Sequence, residues 1–255
     1  MHVHTTASDG TATPRQVLEF VASRTNLSVV AICDHNTNEG ALEAAQYAAE
    51  YGIEVVVGQE VESSQGHILG LWTPRLVTPG KSAAETVADI HSQDGLAVAA
   101  HPYAPRFWHK HGLCRGETEV YDCVDFDGVE VANSTPMMLA GNPRARKYWR
   151  ANRDRLAATG GSDAHMLTVI GTSRTLFPGQ TAQDLRDALE SRTTIGYGPT
   201  FNPARMFFYA RKVSEIKERD RDRKEREAQR GGGDGCTACS ACGPDSITTT
   251  PPEKL

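Results

Sequence analysis

The sequence lacks what would carry a chain into or across a membrane. No apolar stretch approaches the ~18–20 residues that a span requires. The opening Met1-His2-Val3-His4 has neither the basic start nor the apolar run of a secretory signal. A cytoplasmic address and no membrane partner are the expectations. An excess of basic residues is also missing: 27 Lys and Arg stand against 32 Asp and Glu, a net charge of -5. Bulk coating of nucleic acid is therefore not expected, although a locally positive site could still take a small phosphorylated ligand.

The six cysteines are not arranged as a disulfide framework. Cys33, Cys114 and Cys123 are scattered, and Cys33 reads as a buried thiol in a strand. Cys236, Cys239 and Cys242 are bunched near the C-terminus. Their spacing is that of part of an iron–sulfur or zinc site, but a nearby fourth ligand is missing. A loosely ordered tail is the expectation there, with an intermolecular or borrowed-ligand metal site as the alternative. Two further signatures are absent. No Gly-x-Gly-x-x-Gly turn follows any candidate strand, which counts against an open dinucleotide-binding sheet. No Gly-x-Ser-x-Gly elbow exists for a serine nucleophile.

What is present is alternation. Leu27 to Cys33, Ile53 to Val57, Leu96 to Ala100, Gly128 to Val131 and Ile170 to Phe177 read as strands from their β-branched or continuous apolar runs. Pro14 to Arg24, Asn38 to Tyr51, Ser82 to Ser92, Arg144 to Ala158 and Thr181 to Ser191 carry apolar residues at helical spacing. Thr13-Pro14 is a helix start, and Gly52 and Gly95 are stops. So many strand–helix units in 255 residues predict an α/β fold whose parallel sheet closes into a TIM-like barrel. The runner-up is an open doubly wound sheet. The hydrolase domain is expected over residues 1–205. Residues 206–255 read as a charged extension and a Cys/Gly-rich tail, because 211–230 are dominated by Lys, Arg, Glu and Asp without an apolar period.

The chemistry-bearing residues fall at the ends of these strands. In an extended segment residues two apart point the same way, so His2 and His4 can reach one ion. Asp9 follows in Ser-Asp-Gly, and His35 follows the strand ending at Cys33. Glu60 lies beyond Val57, His67 opens Gly-His-Ile-Leu-Gly, and His101 ends Ala-Val-Ala-Ala-His-Pro. Asp163 and His165 form another same-face pair in Gly-Gly-Ser-Asp-Ala-His. A single histidine after a strand is usually a satisfied polar residue. Six of nine histidines so placed, interleaved with three acids, are not readily produced by chance. His91, on a helix, and His109-x-His111, in a basic loop, read as bystanders. Imidazoles with carboxylates suit zinc, manganese or iron, whereas calcium and magnesium prefer oxygen. A bridging carboxylate can hold two ions ~3.5–4 Å apart, and the hydroxide made from their shared water would attack phosphorus or a carbonyl carbon.

The ordered set His-x-His-Thr-Thr-x-Ser-Asp-Gly, Asp-His-Asn-Thr, the Glu60 strand, His-Ile-Leu-Gly, Ala-His-Pro and Gly-Ser-Asp-Ala-His resembles the PHP (polymerase and histidinol phosphatase) family over residues 1–200. The resemblance implies a distorted (β/α)7 barrel holding two or three divalent ions, usually zinc, manganese or iron. It implies one ion on His2, His4, Glu60 and Asp163, and a second on Glu60, His67 and His101. A third would lie on Asp9, His35 and His165. Glu60, Asp163 and His101 would be the catalytic residues. Family members usually have more residues before His-x-His, so either the first strand is short or the chain's true start lies further upstream.

Arg106 and Arg144, or Arg146, could reach the mouth of such a cluster and bind phosphate in a bidentate manner. Asn133 could orient substrate or a neighbouring loop. The leading functional expectation is a phosphoesterase acting on a phosphorylated small molecule, nucleotide or oligonucleotide end. A second reading keeps the metals and moves the target to an ester or amide. A third is a non-catalytic, metal-stabilised module of a polymerase or repair complex, against which stands the apparently full ligand set.

Overall fold

The computed structural model describes residues 1–104, 118–136, 138 and 140–199. The expectations for Arg106, His109, His111, Cys114, Cys236, Cys239, Cys242 and the 206–255 extension fall outside these residues. The described chain opens with an extended segment and helix α1 (Pro14–Arg24), then strand β1 (Val29–Ile32) and α2 (Glu39–Tyr51). A hairpin follows, β2 (Glu54–Ser63) and β3 (Gly66–Leu71), and then α3 (Ala83–His91) and β4 (Leu96–Ala99). After α4 (Thr118–Cys123) come β5 (Gly128–Asn133), α5 (Asn142–Ala151) and β6 (Ala157–Gly161). The last elements are β7 (Arg174–Leu176), α6 (Ala182–Glu190) and β8 (Ile195–Tyr197).

Local chemistry sets the helix starts. Thr13, Ser82 and Thr181 each accept a backbone N–H from the third residue of the helix they precede. The side chains of Gln16, Glu85 and Asp184 take the cap residue's own N–H in return. Gly52 ends α2 in the left-handed conformation, φ 64°.

Six strands form one sheet in the order β1-β2-β3-β4-β5-β6. The pairs β1/β2, β4/β5 and β5/β6 are parallel, but β3 runs antiparallel to both neighbours. The expected all-parallel sheet is corrected at this point: the two-residue turn between Ser63 and Gly66 leaves room only for a hairpin, because a parallel crossover needs a dozen or more residues. The sheet's two edges meet through the N-terminal segment, where Val3 bridges Ile32 on one side and Ala164 on the other. Cys33 N–H donates to Val3 O at 2.8 Å and His4 N–H to Ala164 O at 3.0 Å. Val3 makes only isolated bridges on each side, so the barrel is distorted where it closes.

Two further expectations shift. The helix expected over 144–158 spans Asn142–Ala151, because Asn152 leaves the helical conformation and Ala157 and Ala158 enter the sheet beside Gly128 and Val129. The strand expected from Ile170 shortens to Arg174–Leu176, since Gly171 turns the chain at φ 79°. Strand β8, which pairs with β7, was not expected at all.

Side-chain alternation divides each strand into an outer and an inner row. Outward residues such as Val30, Ile32, Val61, Ile68, Val129 and Val131 pack against the helices. The inner row starts apolar: Ala31, Cys33, Val56, Leu69, Leu71, Val98 and Ala157 pack together with Leu185 and Leu189 of α6, which plug that end. Followed two residues at a time, the same rows become polar. Ala31 and Cys33 lead to His35, Val56 and Gly58 to Glu60, Leu71 and Leu69 to His67, and Ala157 to Asp163. The barrel therefore has a greasy end and a titratable end.

Candidate metal centre

All nine candidate ligands lie at the titratable end. His67 gets there by a different route from the rest. Because β3 is antiparallel, it is the beginning of that strand, not its end, that reaches this rim.

Glu60 is the centre. Its Oε1 lies 2.9 Å from His67 Nδ1 and 2.9 Å from His101 Nε2. Its Oε2 faces His2 Nε2 at 3.2 Å, His35 Nδ1 at 3.3 Å and His4 Nε2 at 3.4 Å. Asp163 Oδ1 approaches His4 Nε2 at 3.2 Å and His2 Nε2 at 3.6 Å. At the mouth, Asp9 Oδ2 lies 3.1 Å from His165 Nε2 and 3.9 Å from His35 Nε2. His2, His4, Glu60, His101 and Asp163 are buried, whereas the Asp9 side chain is 56% exposed and His165 29%.

Three sets of side chains bring ligand atoms within 4.8 Å of one another: His2, His4, Glu60 and Asp163; His35, Glu60 and His67; and His4, Asp9, His35 and His165. The first has the membership that the family resemblance implies. The second gathers His35 with Glu60 and His67, and the third adds His4 to the expected Asp9, His35 and His165; His35 stands between Glu60 and Asp9 and can turn one ring nitrogen to each. His101 remains on Glu60 Oε1.

The donor set fits transition-metal ions on two observations. Imidazole nitrogens mixed with carboxylate oxygens favour zinc, manganese or iron. Moreover, His2 Nε2, His4 Nδ1, His35 Nδ1 and Glu60 Oε2 are buried without a hydrogen-bond partner. Buried polar atoms are normally satisfied, so a cluster of such orphans marks a place for a ligand. The backbone is strained at the same spot: His2, His101 and Asp163 have φ of 66°, 26° and 50°, in the left-handed region that favours glycine.

The electrostatics agree. Burial disfavours the charge on Glu60, but the surrounding His2, His35, His67 and His101 hold its carboxyl well below the usual range. Asp163 is likewise held low, against its burial, by His2, His4 and His165. Burial also opposes the charge on His2, yet Glu60, Asp163 and Glu130 keep its pKa well above the ordinary value. At His4 burial prevails and lowers it. Against burial, the hydrogen bond to Asp9 lifts His165 to about 9, and the same bond takes Asp9 down to about 2. Protons on these imidazoles occupy the positions a cation would take, so metal uptake must displace them.

Two acids that the sequence reading did not single out complete the frame. Asp34 is buried and accepts hydrogen bonds from Thr5 N–H (2.6 Å), Thr5 Oγ1 (2.8 Å) and Ser8 Oγ (2.7 Å), pinning the loop that carries Asp9. Glu130 is buried beside His2 and His101. Its signal in the sequence was a lone acid in the otherwise apolar Gly128-Val-Glu-Val131. Asn133 was expected to orient substrate or a loop. Its amide donates to Glu130 Oε2 at 2.8 Å and Asp163 Oδ2 at 3.1 Å, while its Oδ1 accepts Thr135 N–H at 2.8 Å in the loop that follows. Arg144 is exposed on the first turn of α5, close enough to Tyr103 to act on its phenol, and Arg146 is half-buried. The bystander His91 lies away from the cluster, 2.8 Å from Asp127.

The model of the PHP domain matches residues 1–126, and that of the PHP-associated region matches residues 141–194. An uncharacterised protein of Methanocaldococcus jannaschii is 37% identical over 145 residues, 52% of this chain and 80% of that protein. A 3′,5′-nucleoside bisphosphate phosphatase of Chromobacterium violaceum is 40% identical over 108 residues, which span 39% of this chain and only 38% of the phosphatase. Among solved structures, a two-domain protein of Bacteroides vulgatus, described as containing a predicted PHP-like metal-dependent phosphoesterase, superposes with a TM-score of 0.58. That match has 20% identity and covers 77% of this chain and 63% of the other.

Proposed function

Since this chain belongs to the PHP domain family, we propose that it is a metal-dependent phosphoesterase acting on a phosphorylated small molecule, a nucleotide or an oligonucleotide end. The observation that carries this reading is the Glu60 carboxylate, with two imidazoles on one oxygen and three on the other. A carboxylate so flanked is suited to be shared between two cations.

His2, His4, Glu60 and Asp163 would hold one ion, and Glu60 with His67, His101 or His35 a second. Asp9, His35 and His165 would hold a third at the mouth. Zinc, manganese or iron bound there supplies Lewis-acid polarisation of a phosphoryl oxygen and brings a coordinated water toward ionisation at neutral pH.

The remaining work belongs to the protein. Buried Glu60 and Asp163 keep their negative charge because the histidines around them hold their carboxyls low. Burial keeps bulk water from the deep residues, so charges there act at full strength. The half-exposed His35, His165 and Asp9 form the approach, where a compact dianion would meet them. Arg106 and Arg144 are the candidates to grip phosphate oxygens. The name of the Chromobacterium relative, a phosphatase of nucleoside bisphosphates, favours phosphomonoesters on nucleotides as the substrate class.

The test compares kcat/KM of the purified full chain on a phosphomonoester panel with that on matched carboxyl esters, before and after chelation. Faster turnover of nucleotides carrying a terminal phosphate, abolished by chelation, is the expected result. A clear preference for carboxyl esters would move the chain to the ester or amide reading.

A further inference from the structure

Glu130 belongs to none of the three sets able to hold an ion among the described residues, yet its contacts lead to two ligands of the deepest set, His2 and Asp163, and to His101 beside Glu60. It sits on the inner row of β5, buried. Its Oε1 lies 3.1 Å from His2 Nδ1. Its Oε2 accepts the backbone N–H of His101 at 2.9 Å and the amide of Asn133 at 2.8 Å. Asn133 uses the same amide to reach Asp163 Oδ2 at 3.1 Å. One carboxylate thus touches His2, the backbone of His101 and, through Asn133, Asp163.

All three have left-handed backbone. Left-handed backbone in residues other than glycine persists only where surrounding contacts over-determine it. A carboxylate on Nδ1 also settles the His2 tautomer. With Nδ1–H donating to this carboxylate, Nε2, the orphaned atom facing Glu60 and Asp163, is the nitrogen left to bind. Space is reserved for this arrangement: a Cβ at Gly161 would overlap Glu130 Oε1 and lie 2.6 Å from His2 Cβ.

We infer that Glu130 is the positioning residue of the deep metal set, orienting His2 and holding the strained backbone of His101 so that both present their ring nitrogens around Glu60. The inference rests on the metal-dependent reading above. It also makes a distinction within the centre, because Glu130 has no contact with Asp9, His35 or His165 at the mouth.

The test uses the full chain stripped of metal, with zinc affinities measured by competition against a chromophoric chelator and cobalt spectra recorded on loading. In Glu130→Gln the oxygen that remains can serve either His2 or the pair His101 and Asn133 but not both, and the new amide group then meets donors on the side it faces. This variant should lose on the order of 10–100-fold in affinity at its tightest site, the loss typical of a removed partner behind a ligand. A weaker site should survive, the cobalt spectrum should change, and the metal-free protein should melt near the wild-type temperature. Glu130→Asp, which keeps the charge on a shorter arm, should recover part of the affinity. Wild-type affinity and spectrum in Glu130→Gln would overturn the inference. So would equal loss at every site with a collapsed melting temperature, which marks a purely structural residue. Absence of zinc binding by the wild-type chain would be distinguishable from both, and would overturn the metal-dependent reading and this inference with it.

Discussion

Glu60 and Asp163 are buried among imidazoles that, against that burial, hold their carboxyls well below the usual range. Glu60→Gln removes the charge that five histidines face while preserving shape, so phosphoesterase activity should fall by orders of magnitude with the fold intact. Asp163→Asn should behave in the same way, and His109→Ala should matter far less. Steady-state rates with melting curves check all three, and equal damage from His109→Ala and His101→Ala would contradict the sorting of ligands from bystanders. At this scale the sequence was informative because ligands must stand where strands deliver them: all nine candidates converge in space. It was silent about Glu130 and Asp34. A carboxylate that serves another residue carries no spacing of its own, and only packing reveals what it touches. Chain order also cannot say that both His35 and His101 would face Glu60, one on each of its oxygens.

Helices were easier to read than strands because their starts are written locally, as at Thr13, Ser82 and Thr181, whose caps lie within three residues of their partners. The errors came where apolar periodicity runs on through a boundary. Leu156 to Ala158 continue the spacing of α5, but Ala157 and Ala158 are claimed by pairing with β5, a contact about 30 residues away in sequence. The direction of β3 was missed because Gly66 to Gly70 was read for its histidine alone, without the turn before it. α6 presents an elementary test of how the barrel's greasy end is closed. Leu189 is buried against the inner row, so Leu189→Ala should destabilise the metal-free protein by about 2–5 kcal/mol in denaturant titrations. An effect below about 0.5 kcal/mol, the range of ordinary surface substitutions, would show that α6 is not part of this core.

The whole molecule explains why the centre is where it is. A sheet closed through Val3 converges its inner rows at one end, and a chain of net charge -5 concentrates six of its nine histidines there. Among the described residues no helix is long and apolar enough to cross a membrane. Elements on every side of the barrel contribute to the cluster, from His2 at the start to His165 after β6, so the metals and the fold are expected to be coupled. The most direct test of the account is elemental analysis of the full chain, gently purified without chelators, alongside its phosphomonoester turnover. The account predicts about two to three zinc, manganese or iron ions per chain, the number that nine ligands can satisfy at three to four each with Glu60 shared. Fully active protein with less than one ion per chain would contradict it.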